Sequence, residues 1–480
     1  MKPNTTRKIL GGMLAVLLCL STAAFADEAS QVQMNSALGN LEKKMADMQR
    51  TIDSQNNKIR SLENRQPMAG GSVAASEPTP PMSDYEFNQR LETSLGGANK
   101  WLKDLSFKGD LRLRYEAFNN TSGRTPSDTD DRNRFRYRLR FGWEKKFSED
   151  LKVGFGLASG EQQAGTSLAD NVSTNTTFDN NFNFKDIFVE KVFASWNPSF
   201  LRGSIVKNTN ITAGKFDNPF EKGTSDMIWD RDVKPEGLYE KFDFKLWDGE
   251  NVDWTSFLTL GQFILDEDGT LGGDSELFAY QGGLNSVFYV PFMERPMEWL
   301  GAISFYDYNK YAKHGNFAIG AFSIARGNTN ADGNAAELDV GNFAVVEAYN
   351  EFGLSPFGVP IRPFYDVAYN EGADKPFSDN ALAWGLGTKI GGIVKKGDWE
   401  VSYTYKSIEP ESVPGGFNDS DFGASGHSGH HGSVFKGGYA LMDNMTVNFA
   451  AFFVNNLTTG TASVNDEAQQ RFQTDLVWKF

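Results

Sequence analysis

Three of the four histidines lie close together in a stretch rich in glycine and serine, at His427, His430 and His431. Asp419 and Asp421 come shortly before them, and imidazoles with carboxylates form a ligand set that Zn²⁺ or Cu²⁺ accepts. The alternative interpretation is a polar loop that binds nothing. We favour the polar loop, so the sequence predicts no metal and no cofactor.

No sequence motif for catalysis accompanies these residues. The chain contains no G-x-S-x-G, no P-loop and no H-E-x-x-H, the patterns that mark a nucleophile, a phosphate cradle and a zinc site. The formal net charge of −15 argues against nucleic acid as a partner. We expect a protein that is not an enzyme, with a hydrolase embedded in the fold as the alternative.

A different kind of site is suggested by "SDMIWDRDVKPEGL", residues 225–238. It joins a Met-Ile-Trp cluster, which ends at Trp229, to the successive charges of Asp230, Arg231 and Asp232. Exposed loops rarely carry such apolar clusters, and packed strands rarely carry three charges in a row. The stretch therefore needs an apolar surface and a polar one side by side.

Six arginines occupy alternate positions in "FKGDLRLRYEAF" and "RFRYRLRFGWE". Apolar and aromatic residues fill the positions between them, which is the period of a β-strand. Each segment would thus present an apolar face and a charged face. The arginines are Arg112, Arg114, Arg134, Arg136, Arg138 and Arg140.

The same period continues from about residue 105 to the end of the chain. We count sixteen candidate strands, centred near residues 111, 139, 154, 191, 213, 242, 259, 281, 303, 345, 366, 386, 404, 437, 450 and 475. Short connections alternate with long ones, which is the layout of a bacterial outer-membrane barrel. The predicted fold is all-β: a sixteen-stranded antiparallel transmembrane β-barrel with an N-terminal α-helical coiled-coil segment.

Tryptophan positions support the barrel independently. If both termini lie on the periplasmic side, eight of the ten tryptophans fall at one end of the strands, as an aromatic girdle facing outer-membrane lipid requires. They are Trp101, Trp143, Trp196, Trp247, Trp254, Trp299, Trp399 and Trp478.

The two ends of the chain predict its compartment. Residues 1–26 combine a basic start, an apolar run and "AFA", which is typical of a cleaved secretory signal peptide. The one cysteine, Cys19, would leave with it. The chain ends on an aromatic strand with Trp478 and Phe480, which resembles the signal read by the barrel-assembly machinery of Gram-negative bacteria.

Between the signal and the barrel the pattern is helical. Apolar residues recur at spacings of four and three from Met34 to Leu62, which predicts a periplasmic coiled coil over residues 27–66. A single amphipathic helix is the alternative. A Pro/Gly/Ser-rich linker and a short helix follow over 67–104, and the barrel occupies 105–480. The coiled coil would join three subunits or contact the cell wall.

The segments "ITAGKFDNPF", "MIWDRDVKPEGL", "KKGDWEVSYTYKSIEP" and "NDSDFG" together resemble the Putative porin family of Gram-negative outer-membrane barrels. The likeness spans about 105–480. It implies a diffusion channel and, by analogy with porins, a homotrimer in the outer membrane.

The resemblance gives the charged groups roles. In sixteen-stranded porins the third outer loop folds into the barrel, so Trp229, Asp230, Arg231 and Asp232 would form a constriction loop. The alternative is a surface loop at the rim or at a subunit contact. Pro235 and Gly237 would return the chain to the sixth strand.

The six arginines would line the pore as a basic wall opposite these acids, and the field across the narrow water would orient solutes. The alternative is a ladder of ion pairs with Asp110, Glu116 and Glu144 that only stiffens the wall. The expected function is passive diffusion of ions and small hydrophilic solutes. A closed barrel acting as a tether or adhesin, and a gated channel for one solute, are the alternatives.

Overall fold

The computed structural model describes residues 104–121, 132–162, 169–267, 274–290, 295–311, 326–329, 342–375, 377–423, 428–457 and 468–480. All of them lie within the unit Gly97–Phe480. The predictions for residues 1–103, which include the signal peptide, coiled coil, linker and Trp101, lie outside the described residues, as does His427.

Period-two alternation produces strands throughout the described part. Their bounds are β1 Leu105–Thr121, β2 Arg132–Lys146, β3 Leu151–Ser159, β4 Thr176–Thr177, β5 Ile187–Trp196, β6 Val206–Lys215, β7 Glu236–Asp248, β8 Val252–Asp266, β9 Ser275–Phe288, β10 Met297–Asn309, β11 Phe343–Gly353, β12 Ile361–Asn370, β13 Leu382–Gly391, β14 Trp399–Ile408, β15 His430–Met442, β16 Met445–Asn456 and β17 Ala468–Lys479.

Within the described residues these strands form one antiparallel sheet that closes on itself. Each strand pairs with the next along the chain, except that β3 pairs with β5 while the two-residue β4 pairs with β2. The last strand, β17, pairs with β1 from Asp110 opposite Lys479 to Thr121 opposite Ala468. The prediction of a closed sixteen-stranded antiparallel barrel is confirmed, with β4 as an addition on β2.

Helical structure in the described part is limited to short 3₁₀ turns. They lie at Asn180–Phe182, Ser199–Leu201, Pro356–Gly358 and Phe377–Asn380. The described residues contain no helix that is long and apolar enough to cross a membrane.

Burial is the reverse of that in a water-soluble protein. Large apolar side chains alternate on the outward face and are exposed there, for example Phe135 at 55% and Ile303 at 66%. Polar and charged side chains alternate on the lumen face and are buried, for example Glu347 and Lys406 at 0%. A barrel in lipid has this distribution because its outside is the apolar phase.

The two ends of the barrel differ. The end where the chain starts β1 and finishes β17 carries short connections such as 147–150, 249–251 and 443–444, and we call it the turn end. The opposite end carries the long connections, and we call it the loop end. Seven tryptophans lie at the turn end of their strands, namely Trp143, Trp196, Trp247, Trp254, Trp299, Trp399 and Trp478.

Candidate functional site

The connection between β6 and β7, residues 216–235, turns into the lumen, and we call it the first inner loop. It reaches the far wall, because the Thr224 hydroxyl donates to Glu347 Oε1 on β11 at 2.6 Å. The Gln281 amide on β9 also donates to the carbonyl of Gly223 at 3.2 Å. The stretch that contains Trp229, Asp230, Arg231 and Asp232 therefore crosses the interior of the barrel.

The two ends of the first inner loop are fastened together at the wall. The N–H of Phe216 donates to the carbonyl oxygen of Pro235 at 3.1 Å. Gly237 has a φ of +145°, and a Cβ there would lie 2.2 Å from the carbonyl oxygen of Gln262. Glycine is the residue that tolerates both conditions. Pro235 and Gly237 thus return the chain to β7, as the sequence predicts.

The Met-Ile-Trp cluster is the apolar anchor of this loop. Met227, Ile228 and Trp229 are 1%, 2% and 5% exposed. The Trp229 ring packs edge-on against Tyr306 of the wall, with centroids 5.6 Å apart, and against Phe417 at 6.0 Å. Burial of such side chains contributes about 2 kcal/mol or more each, which is enough to hold a loop inside a wet lumen.

Phe417 belongs to a second inner loop, residues 409–423, which follows β14. Backbone hydrogen bonds join the two loops: Asp230 N–H donates to the Phe417 carbonyl at 2.6 Å, and Asp419 N–H donates to the Asp226 carbonyl at 3.0 Å. The Ser420 N–H donates to Asp230 Oδ2 at 3.0 Å. Sequence reasoning did not place this loop inside the barrel, although "NDSDFG" at its end is one of the segments that carry the family resemblance.

A buried lysine fastens both loops to the wall. The Lys406 ammonium on β14 contacts Asp226 of the first loop and Asp419 of the second, each at 2.8 Å, and its side chain is 0% exposed. Its Nζ also lies 4.4 Å above the Phe422 ring. Loss of water would raise the pKa of Asp226, but Lys406 and Lys436 outweigh it and hold that pKa below its usual range.

The acids on either side of Arg231 differ in character. Asp232 contacts Arg140 at 2.7 Å and Arg138 at 3.9 Å. Loss of water is outweighed by these arginines, so the pKa of Asp232 is lowered. Asp230 faces the carboxylates of Asp232 and Asp419 instead, and burial together with those charges raises its pKa well above the usual range. Arg231 itself is exposed.

A third inward segment, residues 169–177, contacts both the barrel wall and the second inner loop. It contains β4, where Thr177 pairs with Arg136 on β2. The Asn171 amide donates to the Gly416 carbonyl at 2.9 Å, and the Ser420 hydroxyl donates to the Val172 carbonyl at 3.1 Å. The three segments therefore form one body inside the barrel, with a shared apolar cluster.

The six predicted arginines all face the lumen, but they are covered by this body and bonded to acids. Their side chains are 6–18% exposed. The contacts are Arg112–Asp475 at 4.0 Å, Arg114–Asp475 at 2.7 Å, Arg114–Asp421 at 3.2 Å, Arg134–Glu116 at 2.5 Å, Arg136–Glu161 at 3.6 Å, Arg138–Asp110 at 2.7 Å and Arg140–Glu190 at 2.8 Å.

The network is close to neutral. Arg471 of β17 joins it through Asp421 at 2.7 Å, so seven arginines meet seven carboxylates. Asp110 and Glu116 take the ladder positions that the sequence offered as an alternative. Glu144 does not, because it contacts Lys108 at 3.0 Å and Lys152 at 3.5 Å. The geometry therefore favours the ion-pair ladder over an open basic wall.

The described histidines do not converge. His430 and His431 are the first residues of β15 and not part of a loop, because they pair with β14 and β16. Adjacent strand residues face opposite sides. The His430 Nδ1–H donates to the Ser428 carbonyl, whereas His431 lies 3.0 Å from the Tyr405 hydroxyl. Among the described residues, no group of three or more potential metal ligands occurs.

The predicted assembly signal lies on the outer surface at the turn end. Trp478 and Phe480 are 46% and 53% exposed, and their rings are 6.4 Å apart. Phe480 N–H donates to the Gly109 carbonyl at 3.0 Å and its carbonyl accepts from Gly109 N–H at 2.9 Å. The terminal residue thus belongs to the β1–β17 seam.

Between the inner body and the turn end lies a cavity of about 370 Å³. It opens beside Arg140, and its lining carries both charge signs. The charged residues in its lining are Lys108, Asp110, Arg140, Glu144, Glu190, Lys191, Asp217, Lys234 and Lys479. The lining also includes aromatic residues such as Phe155 and Phe193, so the cavity is mixed in character and not purely polar.

These features define the class: a closed barrel with an apolar outer face and a charged lumen crossed by inward loops. The sequence matches the family described as "Putative porin" over residues 118–344 and 363–480, which is most of the chain. The chain belongs to this family.

The chain also has a weak likeness in form to solved structures, with TM-scores below 0.5. The structure of OprB from Pseudomonas putida at high pH is 9% identical, with a TM-score of 0.44 and coverage of 81% of this chain and 97% of that one. OmpF of Salmonella typhi in complex with daunomycin is 11% identical, with a TM-score of 0.42 and coverage of 78% and 97%. The anion-selective porin of Comamonas acidovorans is 11% identical, with a TM-score of 0.38 and coverage of 78% and 99%. No curated protein matches the sequence significantly.

Proposed function

We propose that the protein is an outer-membrane porin through which ions and small hydrophilic solutes diffuse passively. The observation that carries the proposal is the combination of an exposed apolar outer face with a lumen of buried and half-buried charges. Membership of the Putative porin family supports it. Solutes would pass beside the inner body, whose contacts with the wall set the width of the path.

The same proposal fixes the location. The signal peptide directs the chain across the inner membrane, the barrel-assembly machinery inserts it, and lipid surrounds the exposed aromatic face. The N-terminal segment then lies in the periplasm beside the turn end. Trp478 and Phe480 are the residues that the assembly machinery would read.

We further propose a homotrimer whose N-terminal coiled coil, residues 27–66, joins the subunits or contacts the cell wall. The heptad spacing from Met34 to Leu62 supports this. Deletion of residues 31–65 separates the two roles. An unchanged oligomeric mass in detergent would exclude the joining role.

A closed tether or adhesin is the second candidate. The observation that favours it is the apolar cluster shared by the three inward segments and the wall, which includes fully buried Phe220, Tyr306 and Phe422. A plug of this kind reduces the open cross-section. A gated channel for one solute is the third candidate and would show block that depends on that solute.

The test is a planar-bilayer recording of the purified mature protein under a salt gradient. Steady open steps are expected, and the reversal potential gives the ion preference. A silent bilayer, with the folded barrel verified by circular dichroism, would exclude the porin and favour the plugged barrel. The neutral arginine network predicts that selectivity is weak, so the reversal potential should lie near zero.

A further inference from the structure

One charged side chain, that of Glu240, lies on the outward, apolar face of the barrel. Glu240 is on β7, opposite Ile211 of β6 and Leu260 of β8. Its neighbours Tyr239 and Lys241 face the lumen, because Tyr239 packs on the buried Phe216 and Lys241 lies over the buried Phe257. Alternation therefore directs Glu240 outward.

Glu240 lies well inside the apolar belt. It is seven residues from Trp247 at the turn end, which places it roughly 17 Å from that girdle along a tilted strand, within a belt about 25 Å tall. Among the outward-facing residues of the described strands, Glu240 is the one charged side chain more than three residues from a strand end.

The described part of the chain leaves one oxygen of this carboxylate without a hydrogen-bond partner. Its Oε2 is buried and has no hydrogen-bond partner, and no basic side chain lies beside it on the outward face of β6 or β8. A polar group in the hydrocarbon region is retained where another protein surface satisfies it. The carboxylate therefore indicates a protein contact and not lipid.

The surface around Glu240 differs from the rest of the outer face. Ala194 on β5 and Ala213 on β6 are a directly opposed pair of exposed small residues. Gln262 on β8 is exposed two positions beyond Leu260 and supplies amide donors. Phe135 and Phe141 on β2, by comparison, present the aromatic surface expected for lipid.

We propose that the outward face of β5–β8 around Glu240 is the subunit interface, and that its occupant is a second copy of this chain. The proposal rests on the homotrimer proposed above. A homo-oligomer in a membrane has its axis along the membrane normal, so groups at equal depth meet. The polar groups available near that depth are Glu240 itself and Gln262, so an axis beside β7 brings acceptor and donor together.

Cross-linking of single-cysteine variants in outer membranes tests the interface. Cys19 is the chain's one cysteine and lies in the predicted signal, so no other thiol interferes. Gln262→Cys, treated with a short bismaleimide, should give linked dimers and trimers. The matched control is Leu386→Cys on β13, which is also exposed and lies five strands away from β8. We expect at least a several-fold higher linked fraction for Gln262→Cys.

The carboxylate is tested on the same background. Glu240→Gln keeps hydrogen-bonding capacity and should retain the linked species, whereas Glu240→Leu should reduce them. Equal linkage at both cysteine positions, or none at Gln262→Cys, would overturn the interface. Equal linkage for Glu240→Gln and Glu240→Leu would overturn the role of the carboxylate. Channel recordings on the same samples keep the two proposals apart, because linkage in a silent protein refutes only the porin function.

Discussion

Lys406 carries a positive charge into a site where its side chain is 0% exposed. The charge is kept there by two carboxylates, Asp226 and Asp419, that come from different loops. Burying such a group costs several kcal/mol, so an ion pair of this kind stabilises little in net terms. Its effect is to select one arrangement, because both loops must be in place before the ammonium is satisfied.

Replacing Lys406 with Met should release the inner body. Asp419 would then lose its cation beside Asp230, and Asp226 would keep only the exposed Lys436 at 3.3 Å. Removal of one partner from a buried pair costs about 3–5 kcal/mol. We expect larger and noisier single-channel currents and faster proteolysis of residues 216–235. The control is Lys389→Met, a lumen lysine on β13 that pairs with Glu400 while 45% exposed. If the two variants behave alike, Lys406 is not the fastening point.

The same site should respond to acid. Asp226, Asp232 and Asp421 have lowered pKa values because neighbouring Lys and Arg outweigh the cost of burial. A lowered pKa gives stabilisation that is complete above the ordinary value of about 3.9 and is lost as the pH falls through the folded value. We expect the inner loops to loosen below about pH 3, seen as a rise in conductance.

Asp230 should have the opposite effect on how the stability of the inner loops depends on pH. Its raised pKa means that its contribution is complete below about pH 3.9 and is lost as the pH rises through the folded value. Asp230→Asn should therefore tighten the loops at neutral pH and leave the acid transition in place. Conductance measured against pH for both proteins checks this. Loosening of the variant at neutral pH would show that Asp230 is needed as a charge.

At the scale of elements, the packing of the two inner loops against each other depends on the aromatic ring of Phe417. Phe417 packs against Trp229, Tyr308 and Tyr311 with centroids 5.5–6.0 Å apart. Phe417→Ala removes these contacts and should cost about 3–5 kcal/mol of loop docking, because the cavity cannot collapse fully against a barrel wall.

The measurement is hydrogen exchange of residues 216–235 in the folded protein. We expect faster exchange in Phe417→Ala with unchanged exchange in the strands. Phe357→Ala is the matched control, since Phe357 is fully exposed on a 3₁₀ turn. Unchanged exchange at the first inner loop would mean that the loops dock independently.

Strand positions could be predicted from the sequence because alternation is a local property. The centre expected near residue 242 falls within Glu236–Asp248, although that strand alternates poorly. The second inner loop could not be predicted, because its partner lies far away: Ser420 and Asp230 are 190 residues apart. The sequence predicts a loop at His430 because glycine and serine surround it, whereas strand pairing on both sides decides its structure.

The arginines show the same limit within a correctly predicted element. Alternation predicts that Arg112 and Arg138 lie on the charged face of their strands, and in the structure this face lines the lumen. Their partners were only partly predictable: Asp110 is a near neighbour in the sheet, but Asp475 arrives with the closing strand. Charge balance is a property of the closed barrel, so no single segment could reveal it.

At the scale of the whole molecule, closure depends on β17. Deleting residues 468–480 removes the strand that pairs with both β1 and β16, and leaves each of them with an unpaired edge. An open barrel in detergent exposes backbone donors and acceptors that nothing satisfies. A folded barrel migrates faster in SDS gel electrophoresis when the sample is not heated than when it is boiled. The variant that lacks residues 468–480 should show the same mobility with and without heating.

Deleting Phe480 alone separates closure from assembly. The register from Asp110 to Thr121 with β17 stays intact, so this variant should fold in detergent almost as well as the parent. In cells it should accumulate poorly in the outer membrane, because the terminal aromatic residue is the predicted signal for the assembly machinery. Folding failure in detergent would assign Phe480 to the seam with Gly109. Normal insertion in cells would show that Phe480 is not required as the assembly signal. The signal would then depend on Trp478 or on no single residue.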